Sequence, residues 1–168
     1  MKGLKFAGVL VALLVAGAPA HADAVTGATT SGAASLEIYA PIAVKQTQGL
    51  EFGAVTAAAA GSVTVDAGSG VRTSAGGVSV LAPANPQKTP RQATFTITGQ
   101  SNAAITVTVG AAITGFAGGI TGVTLPAVLP TALSGDSATF TVGGTLRIPA
   151  AVPIGLYSGA YTVAVNYP

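Results

Sequence analysis

A period of two runs along most of this chain: β-branched or aromatic side chains alternate with threonine, serine or alanine over short stretches. The strongest of these stretches is residues 161–167. Its larger side chains all fall on one face: Tyr161, Val163, Val165 and Tyr167. Because successive side chains of a β-strand point to opposite faces, the alternation predicts strands with one buried face. Helical periodicity is hard to find after residue 22, and we therefore expect an all-β fold.

The strand-like stretches are short and are separated by turns rich in glycine, proline, serine and asparagine. They lie at residues 36–44, 62–66, 78–80, 94–98, 105–109, 123–125, 139–142, 146–148 and 161–167. Seven to nine short strands of this kind are typical of a β-sandwich of immunoglobulin-like size. The turn at residues 99–102 predicts a β-hairpin between the stretches on either side of it. Pro41 predicts that the first stretch is an edge strand or changes partner there.

The first 22 residues have the pattern of a secretory signal peptide. Lys2 and Lys5 precede an apolar stretch at residues 6–18, and a small-x-small cleavage site follows at residues 20–22. That apolar stretch is shorter than the roughly 20 residues that a membrane-spanning helix needs. We therefore expect export through the inner membrane, and a mature chain that begins at Asp23.

The mature chain divides by composition into an arm and one domain. Residues 23–38 begin with small side chains and predict a flexible N-terminal arm, and residues 39–168 have the length of a single domain. Only Pro168 follows the strand-like stretch at residues 161–167. That stretch is therefore expected to be a natural edge or the neighbour of a missing strand. An apolar edge is an aggregation template unless something covers it, and a strand from another copy would do so.

Charge and residue types exclude most chemistry. Residues 23–168 contain five basic and five acidic side chains, which sum to zero, so no basic patch for nucleic acid is expected. The only histidine, His21, lies in the predicted signal peptide, and the chain has no cysteine. Catalytic triads, thiol catalysis and zinc sites are therefore excluded, and we expect neither an enzyme, a cofactor, a metal nor a small-molecule substrate.

Motifs in the first and last parts of the chain carry a family resemblance. The motifs are Leu50-Glu51-Phe52-Gly53, residues 143–146 (Gly-Gly-Thr-Leu), and a Pro-x-Gly-x-Tyr motif at residues 153–157 that leads into the last strand. They resemble a secreted bacterial domain family of unknown function. That family is in turn similar to the spore-coat-U-like subunits of archaic chaperone-usher pili. The resemblance spans most of residues 35–168.

The resemblance implies an incomplete immunoglobulin-like β-sandwich that lacks its last strand and is completed by a donor strand from a neighbouring subunit. Such a donor adds main-chain hydrogen bonds to the open edge and places alternate side chains in the core. The resemblance also implies a periplasmic chaperone and an outer-membrane usher. The chain lacks the cysteine pair of many archaic pilins. This difference concerns assembly through an usher and does not affect the expected completion of the fold by a donor strand.

The implied acceptor groove and donor strand fall on specific residues. One wall of the groove would include Tyr161, Val163, Val165 and Tyr167. The donor would come from the arm, in one of two registers. Either residues 25–34 insert, which gives a donor of small side chains, or the donor runs into Leu36 and Ile38. The second register is favoured because it fills more volume. The candidate donor residues are Val25, Ala34, Leu36 and Ile38.

The expected function is that of a structural subunit of a cell-surface pilus or fimbria, transiently periplasmic, that polymerises with itself head to tail. The alternative is a monomeric secreted adhesin or binding module whose threonine-rich faces or loops recognise a surface glycan or protein.

Overall fold

The computed structural model describes residues 29–82 and 88–168. The predicted signal peptide and the beginning of the arm, including Val25, lie outside the described residues. The chain divides into an N-terminal unit that ends at Leu36 and a domain over Glu37–Pro168. The described part of the N-terminal unit, residues 29–36, has no regular secondary structure and is exposed.

The domain is built from nine β-strands, and all of their pairings are antiparallel. They are β1 (Ala43–Gln48), β2 (Val55–Val65), β3 (Arg72–Val80), β4 (Ala93–Thr98), β5 (Thr106–Val109), β6 (Ala112–Ile113), β7 (Thr121–Pro126), β8 (Ser137–Ile148) and β9 (Val163–Asn166). The described residues contain no α-helix. The prediction of an all-β protein is confirmed. Across the parts of the chain that the structure covers, no helix is long and apolar enough to cross a membrane.

Strand β8 is the centre of the larger sheet. One of its edges pairs with β7 from Thr121↔Arg147 to Pro126↔Val142. Along the opposite edge, its first half pairs with β4 and its second half with β2. The resulting order is β1-β4-β8-β2-β3, and β6 is added to β7. Every other strand of this sheet is therefore attached to β8 directly or through one neighbour.

The second sheet is small and consists of β5 paired with β9. It lies over β4 and the first half of β8, and the side chains between the sheets form the first core cluster. Its buried members are Ala93, Phe95, Ile97, Ile105, Leu133, Phe140 and Val142. The rings of Phe95 and Phe140 stack with their centroids 5.2 Å apart. This face-to-face packing of two antiparallel sheets is consistent with a β-sandwich.

A second core cluster lies behind the other half of β8. Its buried members are Val63, Val78, Ile113, Ile120, Leu146 and Ile148. They come from β2, β3, β8 and residues 113–120, and the small sheet contributes none of them. One half of β8 is therefore covered by a second sheet, and the other half is covered by loops.

The hairpin predicted around residues 99–102 is wrong. Strand β4 pairs with β1 and β8, whereas β5 pairs with β9, so the turn carries the chain from one sheet to the other. The physical reason is that both edges of β4 are already occupied. A local turn pattern reports a reversal of the chain but does not report which edges are free.

Several strand predictions also changed in extent. Strands β2 and β3 are longer than predicted, and the last strand is confined to Val163–Asn166, so Tyr161 and Tyr167 lie outside it. The first strand begins at Ala43 instead of near Leu36, so Pro41 precedes it. Residues 139–142 and 146–148 form one strand, because Gly143 and Gly144 continue it. An added Cβ at Gly143 would meet Val65 O, and one at Gly144 would lie 3.0 Å from Val123 O. These glycines therefore let β2 and β7 approach β8 closely.

The first core cluster gives a direct stability prediction. Val142 is fully buried, whereas Val128 is 93% exposed. Val142→Ala removes two buried methyl groups and should lower the free energy of unfolding by about 2 kcal/mol. Val128→Ala is the matched control and should change it by less than about 0.5 kcal/mol. Urea unfolding of both variants measures the difference, and equal midpoints would contradict the assigned core.

Candidate functional site

An open apolar groove lies over the second core cluster. Its cavity volume is about 950 Å³. One wall is residues 50–58 and the opposite wall is residues 152–161. The floor is made by side chains of the second cluster and one ring beside them: Ile113, Phe116, Ile120, Leu146 and Ile148. The groove is thus the place where the loop-covered half of the core remains open.

The first wall contains the Leu50-Glu51-Phe52-Gly53 motif. Leu50 packs against both core clusters, and Phe52 packs against the second cluster. The backbone of Glu51 exchanges two hydrogen bonds with Arg91, with N···O distances of 3.0 and 2.9 Å. Gly53 has a φ of 69°, a left-handed conformation that other residues rarely adopt. The motif therefore sets the two apolar side chains inward and then turns the chain into β2.

Arg72 holds this wall in place from β3. Its Nη1 donates to Phe52 O and to Ala54 O, both at 2.9 Å, and its Nη2 donates to Leu81 O at 2.6 Å. A guanidinium group satisfies several carbonyls at once because its donors form a planar fork. An added Cβ at Gly53 would lie 2.7 Å from Arg72 Nη1. The absence of a side chain at Gly53 therefore leaves the space that the Arg72 guanidinium group occupies.

The opposite wall, residues 152–161, contains no strand. The Tyr157 hydroxyl donates to Pro153 O at 2.6 Å, and Ala160 exchanges two backbone hydrogen bonds with Thr114. Ile154 and Leu156 lie between Pro153 and Tyr157 in the chain, and their side chains are almost fully exposed, at 108% and 82%. This wall is tied to the domain at its end, and it presents two large apolar side chains that the domain does not bury.

The groove has little charge around it. Lys88 Nζ and Glu51 Oε2, at its rim, are 3.9 Å apart, and both side chains are accessible to water. In the described parts of the chain, no three acidic or histidine side chains come together to hold a metal ion. The walls offer apolar surface and backbone groups, which suits an extended apolar segment better than a charged ligand.

The residues predicted as an acceptor wall lie at the groove and beside it. Tyr161 lines the groove and packs against both core clusters. The other three, Val163, Val165 and Tyr167, pack against the first cluster from β9 and the residue after it. Strand β9 pairs with β5 on one edge, and no strand of the described chain pairs with its other edge. Tyr161 therefore lines the groove and stands two residues before β9 in the chain.

Tyr161 is the most perturbed titratable group at the site. Its hydroxyl is buried and has no hydrogen-bond partner among the described residues. Burial raises its pKa to about 12, and the side chain of Gln46 acts in the opposite direction. Its ring meets that of Phe95 edge-on, with the centroids 6.2 Å apart.

Tyr167 attaches the start of the domain to its last residues. Its hydroxyl accepts a hydrogen bond from Gln100 N at 2.7 Å and donates one to Ala40 O at 2.8 Å. Ala40 N also donates to Gln100 Oε1, at 3.2 Å. The ring of Tyr39 lies edge-on to that of Tyr167, with the centroids 5.2 Å apart. We call these four residues the Tyr167 clamp.

Three predicted donor residues lie in the described chain. Ala34, Leu36 and Ile38 are all exposed, and Ile38, in the domain unit, is 82% exposed. Val25 falls outside the described residues. No strand includes Ala34, Leu36 or Ile38.

Sequence reasoning missed most of the groove. Arg72 and Phe116 were not singled out, because they lie at a strand end and on a loop and follow no period. The available signals were the Leu50-to-Gly53 motif and the Pro-x-Gly-x-Tyr motif at residues 153–157, which proved to be parts of the two opposite walls. The complete groove needs residues that are about 100 positions apart in the chain.

Comparison with known proteins places the chain in a family. Residues 42–167 match the domain of unknown function DUF4402, and the chain belongs to that family. No curated protein and no solved structure matches the chain significantly.

Gly53 provides a test of the first wall. Gly53→Ala forces alanine into a left-handed conformation and against Arg72, so we expect a loss of about 2 kcal/mol in the free energy of unfolding. Gly49→Ala is the control, because Gly49 has open space around it and no positive φ. Chemical denaturation of both variants measures the effect. An unchanged Gly53→Ala midpoint would mean that this turn is not fixed as described.

Tyr161 provides a pH test. Its folded pKa, about 12, is above the value of 10.0 for a free tyrosine. Its contribution to stability is therefore complete below pH 10 and is lost as the pH rises toward 12. Between those two pH values, the unfolding free energy of the wild type should fall more steeply than that of Tyr161→Phe. At neutral pH the variant should be at least as stable, because it removes an unpaired buried hydroxyl. If the unfolding free energies of the wild type and of Tyr161→Phe fell equally over this pH range, the raised pKa would be wrong.

Proposed function

We propose that this protein is a structural subunit of a cell-surface pilus or fimbria. In this proposal its domain is an incomplete immunoglobulin-like sandwich, completed by the N-terminal arm of the next subunit. The proposal rests above all on one observation. Tyr161, which lines the apolar groove, stands two residues before β9, and the second edge of β9 pairs with no strand of the described chain.

Apolar burial favours an occupant for the groove. An open cavity of about 950 Å³ over the core leaves parts of Leu50, Phe52, Val55 and Tyr157 in contact with water. Each methylene group that is removed from water stabilises a protein by about 0.8 kcal/mol. An inserted strand would cover this surface and would also satisfy the unpaired backbone groups of β9.

The arm has the chemistry that such an occupant needs. Leu36 and Ile38 are two residues apart, so they fall on one side of an extended chain, and Glu37 falls on the other side. Inserted beside β9, the two apolar side chains would enter a groove and the carboxylate would face water. This supports the donor register that includes Leu36 and Ile38 over the register of small residues 25–34.

The family resemblance supports the remaining parts of the proposal. The motifs shared with spore-coat-U-like subunits of archaic chaperone-usher pili form the groove wall at residues 50–53 and begin the opposite wall at residues 153–157. By that resemblance, the chain is exported, held in the periplasm by a chaperone, and assembled at the cell surface by an outer-membrane usher. A near-zero net charge in residues 23–168 suits a chain that associates with itself.

The proposed role requires no catalysis. Residues 23–168 contain no histidine or cysteine, and the described carboxylates have structural or surface positions. Asp66 Oδ1, for example, accepts hydrogen bonds from Gly68 N, Ser69 N and Ser69 Oγ within its own turn, and these bonds lower its pKa. We therefore include in the proposal that the protein is not an enzyme.

The second candidate function is a monomeric secreted adhesin or binding module. The exposed Ile154 and Leu156 beside the groove would favour it if the ligand were another protein. In that case the arm would be dispensable. Whether the protein needs its arm therefore distinguishes the two candidate functions.

Polymerisation is tested on an SDS gel with unboiled and boiled samples of the mature protein exported to a periplasm. We expect an unboiled ladder at multiples of the monomer that collapses on boiling, because strand-inserted contacts open slowly. Deleting residues 23–38, or combining Leu36→Asp with Ile38→Asp, should abolish the ladder. Glu37→Gln is the matched control, since it keeps both apolar side chains.

The proposal of polymerisation would be wrong if both lanes showed a single monomer band and the protein also ran as a folded monomer on a sizing column. This result would favour the adhesin.

A further inference from the structure

The larger sheet has an outer face that turns away from both core clusters. Leu146 and Ile148 of β8 belong to the second cluster. Thr145 and Arg147 therefore point to the opposite face, because successive side chains of a strand alternate. The residues that pair with them and with their neighbours across the sheet lie on the same face, and most of these are threonine or serine. The outer face is thus a surface of hydroxyl groups.

The charge on this outer face is positive. Its cations are Lys45 on β1, which pairs with Thr96, and Arg147 on β8. None of the nine strands of the described domain contains an aspartate or a glutamate. An anionic ligand on this face is therefore attracted by the cations and meets no carboxylate from the strands.

Arg147 lies in an open depression at one end of the outer face, which we call the Arg147 depression. Ser62 on β2 and Thr121 on β7 flank Arg147, because both pair with it across the sheet, and such partners have Cβ atoms about 5 Å apart. The depression has a cavity volume of about 460 Å³. Most of its remaining lining is glycine or alanine, as at Ala75 and Gly119. Little side-chain volume therefore stands beside the guanidinium group.

The guanidinium group of Arg147 is not used by the fold. Arg72, the other arginine in a strand, donates to three carbonyls of its own domain. Arg147 is exposed, and its side chain makes no hydrogen bond or salt bridge with another described residue. Within the described chain, no carboxylate lines the depression. The planar donors of Arg147 are therefore available to a ligand, and a carboxylate accepts two of them in parallel.

The surroundings of Arg147 favour a carboxylate that belongs to a sugar. A carboxylate on a protein partner comes with apolar side chains that need apolar surface, and the depression offers them only Pro149 and the buried Ile148. A uronic acid is a sugar with a carboxylate, and it brings hydroxyl groups instead. Because serine and threonine hydroxyls both donate and accept, Ser62 and Thr121 match sugar hydroxyls on either side of the carboxylate.

We infer that the Arg147 depression binds a uronic acid residue of an acidic polysaccharide. Arg147 binds the carboxylate, and Ser62 and Thr121 contact the sugar hydroxyls beside it. The depression and the apolar groove lie on opposite faces of β8, so a sugar here does not compete with a strand for the groove. The inference goes beyond the proposed function and does not depend on it.

Calorimetric titration of the mature protein with an oligosaccharide of galacturonic acid tests this inference. We expect binding to the acid and at least about tenfold weaker binding to its methyl ester, which has the same sugars without the charge. Arg147→Gln should weaken the affinity for the acid by about tenfold, because it removes a charge-assisted hydrogen bond. Ala75→Phe keeps every charge but fills part of the depression, and it should weaken the affinity by a similar factor.

Lys45→Gln is the matched control, because it removes one positive charge from the same face outside the depression. Lys45 pairs with Thr96, which pairs with Thr139, eight residues before Arg147 on β8. The two cations are therefore about 26 Å apart along the sheet, well beyond the Debye length of about 10 Å. Lys45→Gln should change the affinity by less than about twofold. The urea midpoints of the three variants should match that of the wild type, since the substituted side chains are exposed.

Four results would overturn the inference. The first is no binding of the oligosaccharide, and the second is equal binding of the acid and its methyl ester. The third is an equal loss of affinity in Arg147→Gln and Lys45→Gln, which would show an effect of net charge alone. The fourth is equal binding of an oligoglutamate peptide, which would show a carboxylate site without selection for a sugar.

The gel ladder distinguishes a failure of this inference from a failure of the proposed function. Arg147→Gln should leave the ladder as in the wild type, because it does not touch the groove or the arm. Loss of sugar binding with an intact ladder would overturn only the sugar site. Intact sugar binding without a ladder in any variant would overturn only the polymer.

Discussion

The larger sheet depends on the pairing of β8 along both of its edges. Three strands, β2, β4 and β7, are bonded to it directly, and both core clusters contain its side chains. At Gly143 and Gly144 an added Cβ would crowd Val65 O of β2 and Val123 O of β7, so glycine suits both positions. The two halves of β8 then differ in what covers them. The small sheet covers the first half completely, whereas loops cover the second half and leave it partly open.

That unequal covering connects the fold to the proposed function. A groove over an unfinished core is costly for an isolated domain, because apolar surface stays in water. In the proposed function, a strand from another molecule fills the groove and removes this surface from water. Arg72 and Gly53 hold one wall ready for this, since the guanidinium bonds three carbonyls around the turn. The Tyr167 clamp fixes the other end of the domain, where the arm begins.

The local regularities were predictable from the sequence, and the pairing of distant strands was not. The alternation at residues 94–98 identified β4 correctly, because one buried face imposes a period of two on any half-buried strand. The same pattern could not show that β4 lies between β1 and β8, and the hairpin expected at residues 99–102 therefore failed. Motif resemblance marked Leu50 and Phe52. It gave no indication of Arg72, whose role depends on carbonyls from two other segments.

The sequence by itself determined that this chain is all-β, that it lacks the residue types of common catalytic sites after residue 22, and that Leu36 and Ile38 share one face of an extended arm. These properties follow from residue identity and from spacing along the chain. The tertiary structure decided where the core stays open and where Ala40, just after the arm, is held. Both depend on which distant segments meet: residues 50–58 with 152–161 at the groove, and Ala40 with Tyr167 at the clamp. Nearest-neighbour patterns carry no record of such contacts, because they form only when strand pairing brings the segments together.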